Sequence, residues 1–271
     1  MDVVTVTGFR AARTRDDLAL TGGEVVIAGG TWLMSEPQPE TTGFVDLTTM
    51  GWPAIEVREE GVRIGATCTI AELVAWSRSA DVPADWAAAS VIPDAANALL
   101  ASFKIWNTAT VGGNVCRSFA AGSMISLAVA LDGTAEVWNA DGSSSVWSVA
   151  DLVMGNGENA LGRGDVLRAI ELPAHALRSR LVLRKIALAE LGRSGAVVTG
   201  RLDQDGTAVF TVTAAVSRPF VVRFAGIPDA AALAASIDDA PGYYTDSLGA
   251  ADWRRGVSIV LAERIRAELA P

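Results

Sequence analysis

Thr108-Ala109-Thr110-Val111-Gly112-Gly113-Asn114 is the stretch on which the reading of this 271-residue chain turns. Its double glycine stands between two helix-like stretches, without the alternating strands that a hairpin turn needs. Thr108, Thr110 and Asn114 surround it with short hydrogen-bonding side chains, and a helix is predicted to follow near Ser123. Glycines let a backbone approach an anion, and amides beside a helix N-terminus suit a pyrophosphate. A structural turn would use the same residues, so both readings stay open. The loop has neither the lysine of a Walker A motif nor the G-x-G-x-x-G spacing of a dinucleotide-binding turn. A second element of this kind lies some 80 residues upstream. There the strand Glu24–Ala28 runs into Gly29-Gly30-Thr31, where adjacent glycines can turn amides toward an anion and Thr31 can add a hydroxyl. A plain strand-to-loop turn is again the alternative.

Charge sharpens the choice. With 22 Lys+Arg against 31 Asp+Glu the chain carries −9, so its general field repels anions and only local dipoles could hold one. The absence of a basic block argues against nucleic acid or an anionic membrane as partner. Two cysteines can neither staple a disulfide scaffold nor ligate a metal cluster, and the single histidine, His175, excludes His-rich metal centres. No metal ligand set and no acid–base constellation for substrate chemistry is visible. The N-terminus MDVVTVTGFR lacks a signal peptide's apolar core, and no run approaches the roughly 18 apolar residues of a membrane span. A cytoplasmic protein without membrane insertion is expected.

Outward from the two glycine pairs, three regions emerge. Val3, Val4 and Val6 form a β-prone run, Thr14–Leu20 reads as a helix in which Thr14 accepts from the Asp17 amide, and Phe44–Leu47 reads as a strand. Together with Glu24–Ala28 they predict a small βαβ module. Ile55–Val57, Gly61–Gly65 and Ala135–Trp138 alternate as antiparallel strands do, with helices at Ile70–Ser77, Asp81–Ala101 (Pro93 as a break point) and Met124–Leu131. Leu181–Ala187, Gly195–Leu202 and Thr207–Val216 predict a three-stranded meander with Asp205-Gly206 as a hairpin turn. Gly226–Ala250 reads as a soft stretch. Trp253–Leu269 reads as an amphipathic helix facing inward through Val257, Val260, Leu261, Arg264 and Ile265.

The two loops, in this order, resemble those of the FAD-binding medium subunit of molybdenum hydroxylases, the group of carbon monoxide dehydrogenase and xanthine dehydrogenase. The resemblance runs over essentially the whole chain. It is carried by EVVIAGGTWLM (24–34), GVRIGATCTIAEL (61–73), KIWNTATVGGNVC (104–116), DVLRAIELP (165–173), LVLRKIAL (181–188) and ADWRRGVSIVLAERI (251–265), of which the third, 104–116, is the specific one. It implies an α+β chain: a two-subdomain PCMH-type FAD-binding fold over 1–173 (subdomains about 1–53 and 54–173), then a small C-terminal α/β domain over 174–271 with a three-stranded antiparallel sheet and helices. It further implies an FAD-carrying oxidoreductase subunit of a heteromeric complex. The flavin would take electrons from [2Fe–2S] centres of a small subunit, fed by a large molybdopterin subunit, and pass them to NAD or a quinone. A dimer of heterotrimers is expected. The alternative is a structural subunit of the same complex with weakened FAD binding.

Carried over position by position, Ala28, Gly29, Gly30, Thr31 and Trp32 would line one side of the FAD pyrophosphate. Thr110, Val111, Gly112, Gly113 and Asn114 would line the other side and reach the ribityl chain. Leu100 matches a helix position that touches the cofactor, Leu167 with Val166 an apolar contact on the flavin ring, and Lys185 a family lysine near the flavin. An ordinary exposed strand lysine is the other reading of Lys185. The chain departs from the pattern at Ser123, which replaces an aspartate that bonds the flavin, and at Trp32 and Trp106, which replace smaller or charged residues. Both indoles suit simple packing, and Trp32 also suits stacking on the cofactor or a neighbouring subunit. Cys68 and Cys116 read as buried thiols.

Overall fold

The computed structural model describes residues 4–99, 103–189 and 192–270. Three main sheets follow one another along the chain. The first is parallel: β1 (Gly8–Ala11), β2 (Glu24–Ile27) and β3 (Gly43–Asp46) pair in the order β1-β3-β2, and the central β3 is the most buried. The β-prone run at Val4 and Val6 lies outside the strand, which begins at Gly8 opposite Gly43, and Val4 is 82% exposed. Valine favours a strand only where a partner strand receives it; Val3 falls outside the described residues. The helix expected over Thr14–Leu20 is a single 3-10 turn, Arg15–Leu18. Thr14 and Asp17 form a capping box at its start. The Asp17 carboxylate accepts from the Thr14 amide (2.8 Å), the Thr14 hydroxyl (3.0 Å) and the Arg13 amide (2.9 Å).

The second region contains β4 (Ile55–Arg58), β5 (Gly61–Gly65), α1 (Ile70–Ser77), α2 (Ile92–Asn97), α3 (Phe103–Trp106), α4 (Val111–Arg117) and α5 (Ser123–Ala130). It continues with β6 (Thr134–Trp138), β7 (Ser144–Ser148), α6 (Val149–Leu152), a β8–β9 ribbon (Val153–Gly155 and Glu158–Asn159), β10 (Val166–Pro173) and α7 (Ala174–Leu177). Five strands form an antiparallel sheet in the order β4-β5-β10-β6-β7. α1 starts where its capping box predicts: Thr69 Oγ1 accepts from the Glu72 amide (3.1 Å) and the Glu72 carboxylate accepts from the Thr69 amide (2.8 Å). The long helix expected over Asp81–Ala101 resolves into a 3-10 stretch, Ala87–Val91, and the short α2. Pro93 occupies the first turn of α2, where its missing N–H leaves no bond unmade, so it opens a helix instead of breaking one.

The third region carries β11 (Arg180–Ile186), β12 (Ala196–Leu202), β13 (Ala208–Thr213) and β14 (Phe220–Phe224), paired antiparallel in chain order. The expected three-stranded meander therefore gains a fourth strand. The stretch read as soft contains α8 (Ala230–Asp238), capped by Asp229, whose carboxylate accepts from the Ala232 amide at 2.8 Å. Its alanines supply helix propensity without any polar–apolar periodicity to announce it. α9 (Ala251–Leu269) packs on α8 and β12 through Arg254, Ser258, Leu261, Ala262, Ile265 and Leu269. Val260 and Arg264, expected inside, face solvent.

Cores tie the regions together. Leu183, Val197 and Ala214 of the third region belong to the core built on β5, β10 and α5. A smaller cluster, Ala12, Leu18, Val45, Leu47 and Val166, joins the first sheet to β10. Among the described residues no helix is long and apolar enough to cross a membrane.

Candidate cofactor-binding site

The two glycine elements meet. Gly29 lies so close to the segment preceding α4 that a Cβ there would stand 1.8 Å from the Thr108 carbonyl oxygen. Gly30 turns the chain at φ +64°, and the residues after it wind into one helical turn, with the Met34 amide on Gly30 O (2.8 Å) and the Glu36 amide on Trp32 O (3.2 Å). Among the described residues the amides of Gly29, Gly30, Thr31 and Trp32 bond to no acceptor of the chain. These donors are thus available to an anion, as the sequence implies for this loop.

The second element differs from expectation. Gly112 and Gly113 are not in a loop but in the first turn of α4, whose N-cap is Thr110. Every amide of that turn is committed: Val111 to Cys68 O (2.8 Å), Gly112 to Ala66 O (3.0 Å), Gly113 to Thr110 Oγ1 (3.0 Å) and Asn114 to Thr110 O (3.0 Å). Gly112 is required by packing, since a Cβ would lie 2.5 Å from that of Ala66. Gly113 is different. It is exposed, and a Cβ would meet only Thr110 Oγ1, so it presents bare backbone outward. Asn114 reaches the start of α5, its Oδ1 accepting from the Met124 amide at 3.0 Å.

Beside that contact lies Ser123, the first residue of α5 and 1% exposed, whose hydroxyl is buried without a hydrogen-bond partner. Such a group is costly unless something satisfies it. Trp32 lies over the guanidinium of Arg117, 3.7 Å from ring centroid to Cζ, and edge-on to Phe119. The indole therefore packs within the chain, the simpler of its two expected roles. Trp106 packs against the main core as well, with its Nε1 buried and unpartnered.

Other predicted positions lie apart from these contacts. Val166 and Leu167 on β10 are 2% and 3% exposed and pack into the two cores. Lys185 is exposed on β11, but its Nζ donates to Asn97 O (2.9 Å) at the end of α2, while Ser194 Oγ donates to Ala98 O (3.1 Å). Leu100 lies outside the described residues. Burial pushes the Cys68 thiol up to about 12, helped by the Glu72 carboxylate, and burial alone pushes Cys116 up to about 12. Both are inert thiols at neutral pH. The sequence reading passed over Arg117 and Phe119, because nothing in the run Cys116-Arg117-Ser118-Phe119 shows that loop 28–32 folds onto it. A cleft of about 670 Å³ opens between Leu18–Leu20 and the β6–β7 turn, and of the predicted residues only Val166 lines it.

The family model of the FAD binding domain in molybdopterin dehydrogenase matches residues 12–175. The chain belongs to this family. The matched span contains both glycine elements, Ser123, Val166 and Leu167. In fold the whole chain is similar to chains of three solved enzymes. Carbon monoxide dehydrogenase from Oligotropha carboxidovorans gives a TM-score of 0.81 at 22% identity over 96% of this chain and 97% of that one. Quinoline 2-oxidoreductase from Pseudomonas putida 86 gives 0.78 at 19% identity over 96% and 95%. Carbon monoxide dehydrogenase from Hydrogenophaga pseudoflava, in a form lacking the Mo-pyranopterin moiety, gives 0.79 at 17% over 96% and 95%. No curated protein sequence matches. The amides left uncommitted after β2 and the unsatisfied Ser123 hydroxyl at the start of α5 both fall within the matched span.

Proposed function

We propose that this chain is the FAD-carrying electron-transfer subunit of a molybdopterin and iron–sulfur hydroxylase complex, handing electrons from [2Fe–2S] centres of a partner to an outer acceptor such as NAD or a quinone. The observation that carries the reading is the apposition of the Gly29–Trp32 loop, with its amides unbonded, to the Thr108–Asn114 segment within a matched FAD binding domain. The residues present fit FAD. The free amides suit the diphosphate, the exposed backbone of Gly113 allows close approach, and the Ser123 hydroxyl lacks a partner that the cofactor would supply. When bound, FAD accepts and releases the electrons. The chain's own share is to grip, orient and shield. Thr31 would add a hydroxyl to the loop donors, Asn114 fixes the start of α5, Lys185 braces the end of α2, and Leu100 would touch the cofactor as the family resemblance implies. Leu167, with Val166 beside it on β10, would supply an apolar contact to the flavin ring.

Substrate oxidation would belong to the large molybdopterin subunit, with a small iron–sulfur subunit between the two and a dimer of heterotrimers as the assembly. Residues 1–173 would form the FAD-binding domain and 174–271 the C-terminal domain. Cytoplasmic residence fits this role. Co-purification of the untagged complex tests the proposal: flavin near the stoichiometry of this chain supports it, and a complex without flavin leaves the structural-subunit alternative. Ser123→Asp then separates weakened from absent binding, because a restored carboxylate raises FAD retention only where the pocket is intact.

A further inference from the structure

Arg117, at the end of α4, is held by rings rather than by anions. Its guanidinium carbon lies 3.7 Å from the Trp32 ring centroid and 4.3 Å from that of Phe119, and a second cation, Arg193, stands 5.8 Å from the Phe119 ring. Nε of Arg117 is sealed from solvent with no acceptor, and among the described residues no carboxylate forms an ion pair with it. Burial pulls its pKa below the usual arginine value, against the opposing field of Glu36; the side chain nonetheless stays charged at neutral pH.

The backbone beneath is held firmly. Ser118 sits at φ +52° with its carbonyl accepting from the Gly157 amide (2.8 Å), Asn159 Nδ2 donates to Cys116 O (2.7 Å), and Asn156 Oδ1 accepts from the Ala120 amide (3.0 Å). Two rings and a rigid segment thus fix a planar cation whose donors have no protein acceptor, directly beside the loop whose amides are also free. An arginine used only to join two rings would leave its Nε buried without an acceptor at a cost, and an apolar side chain would join them without it.

We propose that Arg117 is a cofactor-binding residue, its guanidinium aimed by Trp32 and Phe119 to donate to an electron-rich oxygen of the FAD held at the Gly29–Trp32 loop. The inference rests on the FAD reading above. Diphosphate oxygens and flavin-ring carbonyls share this acceptor chemistry, and the test tells them apart.

Titrate the full-length chain, as wild type, Arg117→Met and Arg117→Lys, with FAD and separately with ADP, and measure the midpoint potential of the bound flavin. Arg117→Met is expected to weaken FAD at least about tenfold, the loss of one charge-assisted hydrogen bond. Arg117→Lys, which keeps the charge without the planar fork, should recover part of it. ADP affinity falling in parallel identifies a diphosphate oxygen; ADP affinity unchanged with a lower flavin potential identifies a ring carbonyl. Wild-type FAD affinity and potential in the Met variant, with only a lower melting temperature, would overturn the proposal and leave Arg117 a structural clamp. Should the Met variant not fold, unchanged affinity and potential in the Lys variant overturn it equally. A wild-type chain that takes up no FAD removes the FAD reading itself.

Discussion

The Ser123 hydroxyl has no partner although its residue is 1% exposed, and this gives one position two opposite expectations. Ser123→Ala removes an unsatisfied buried group, so the cofactor-free chain should melt no lower than wild type and gain up to about 1 kcal/mol. The same change should weaken FAD by about fivefold, the worth of an ordinary hydrogen bond. Thermal melts of the apo chain beside FAD titrations check both, and a loss of stability without a loss of affinity would contradict the assignment. Gly29 answers to another physics. With the Thr108 carbonyl 1.8 Å from any added Cβ, Gly29→Ala must push the two segments apart. About 1–3 kcal/mol of stability should go with it, together with FAD binding, as read by chemical unfolding and titration. Three of the four glycines are thereby explained without a ligand: Gly29 and Gly112 by close packing and Gly30 by its φ of +64°. The motif alone was consistent with a scaffold. What it cannot display in sequence is which amides remain free, and that is where Gly29–Trp32 and Val111–Asn114 part company.

Elements whose signals are local were legible in the sequence, and those whose signals come from partners were not. α1 spans the expected Ile70–Ser77, and its capping box is complete within the four residues Thr69–Glu72. α9 reads from its length, and Leu261 and Ile265 of its expected inward face are buried, but the buried stripe runs on through Arg254, 0% exposed, and leaves Val260 and Arg264 outside. Its Nη1 donates to Gly195 O (2.8 Å) and Ala214 O, its Nη2 pairs with Asp246 (2.5 Å), and Tyr244 lies against the guanidinium. A buried arginine of this kind is visible only after the fold is known. Arg201 on β12, 1% exposed, plays the matching role between elements. Its Nη2 pairs with Asp132 (2.6 Å), its Nε with Asp203 (2.7 Å), and its Nη1 donates to Ala130 O (2.7 Å) at the end of α5. Arg201→Met should cost about 3–5 kcal/mol, because among the described residues it leaves Asp203 without an ion partner and Asp132 with Arg223 as its only arginine partner in a poorly hydrated site. Urea denaturation reads this directly, and a loss below about 1 kcal/mol would show that the network is solvated.

At the scale of the whole molecule the same network sets the response to acid. Burial pushes the Asp132 carboxyl upward, but hydrogen bonds from Arg223 and Arg201 outweigh it and hold the group below its ordinary value. Glu24 is held at about 2, chiefly by Arg10 and the Thr21 amide. Carboxylates depressed in the folded state add stability that is complete above their unfolded values near 4 and is lost as pH falls through the folded ones. Unfolding free energy should therefore be level near neutrality and fall below about pH 5. Asp132→Asn should flatten part of that fall, and an unchanged acid limb in this variant would remove Asp132 from the account. The net charge of −9 leaves the binding of a dianionic diphosphate to local donors such as the free amides of the Gly29–Trp32 loop. Its most direct test is the flavin content of the untagged complex purified with its partners. The account predicts about one FAD per copy of this chain, lost on Gly29→Ala; a fully assembled complex with no bound flavin would contradict it.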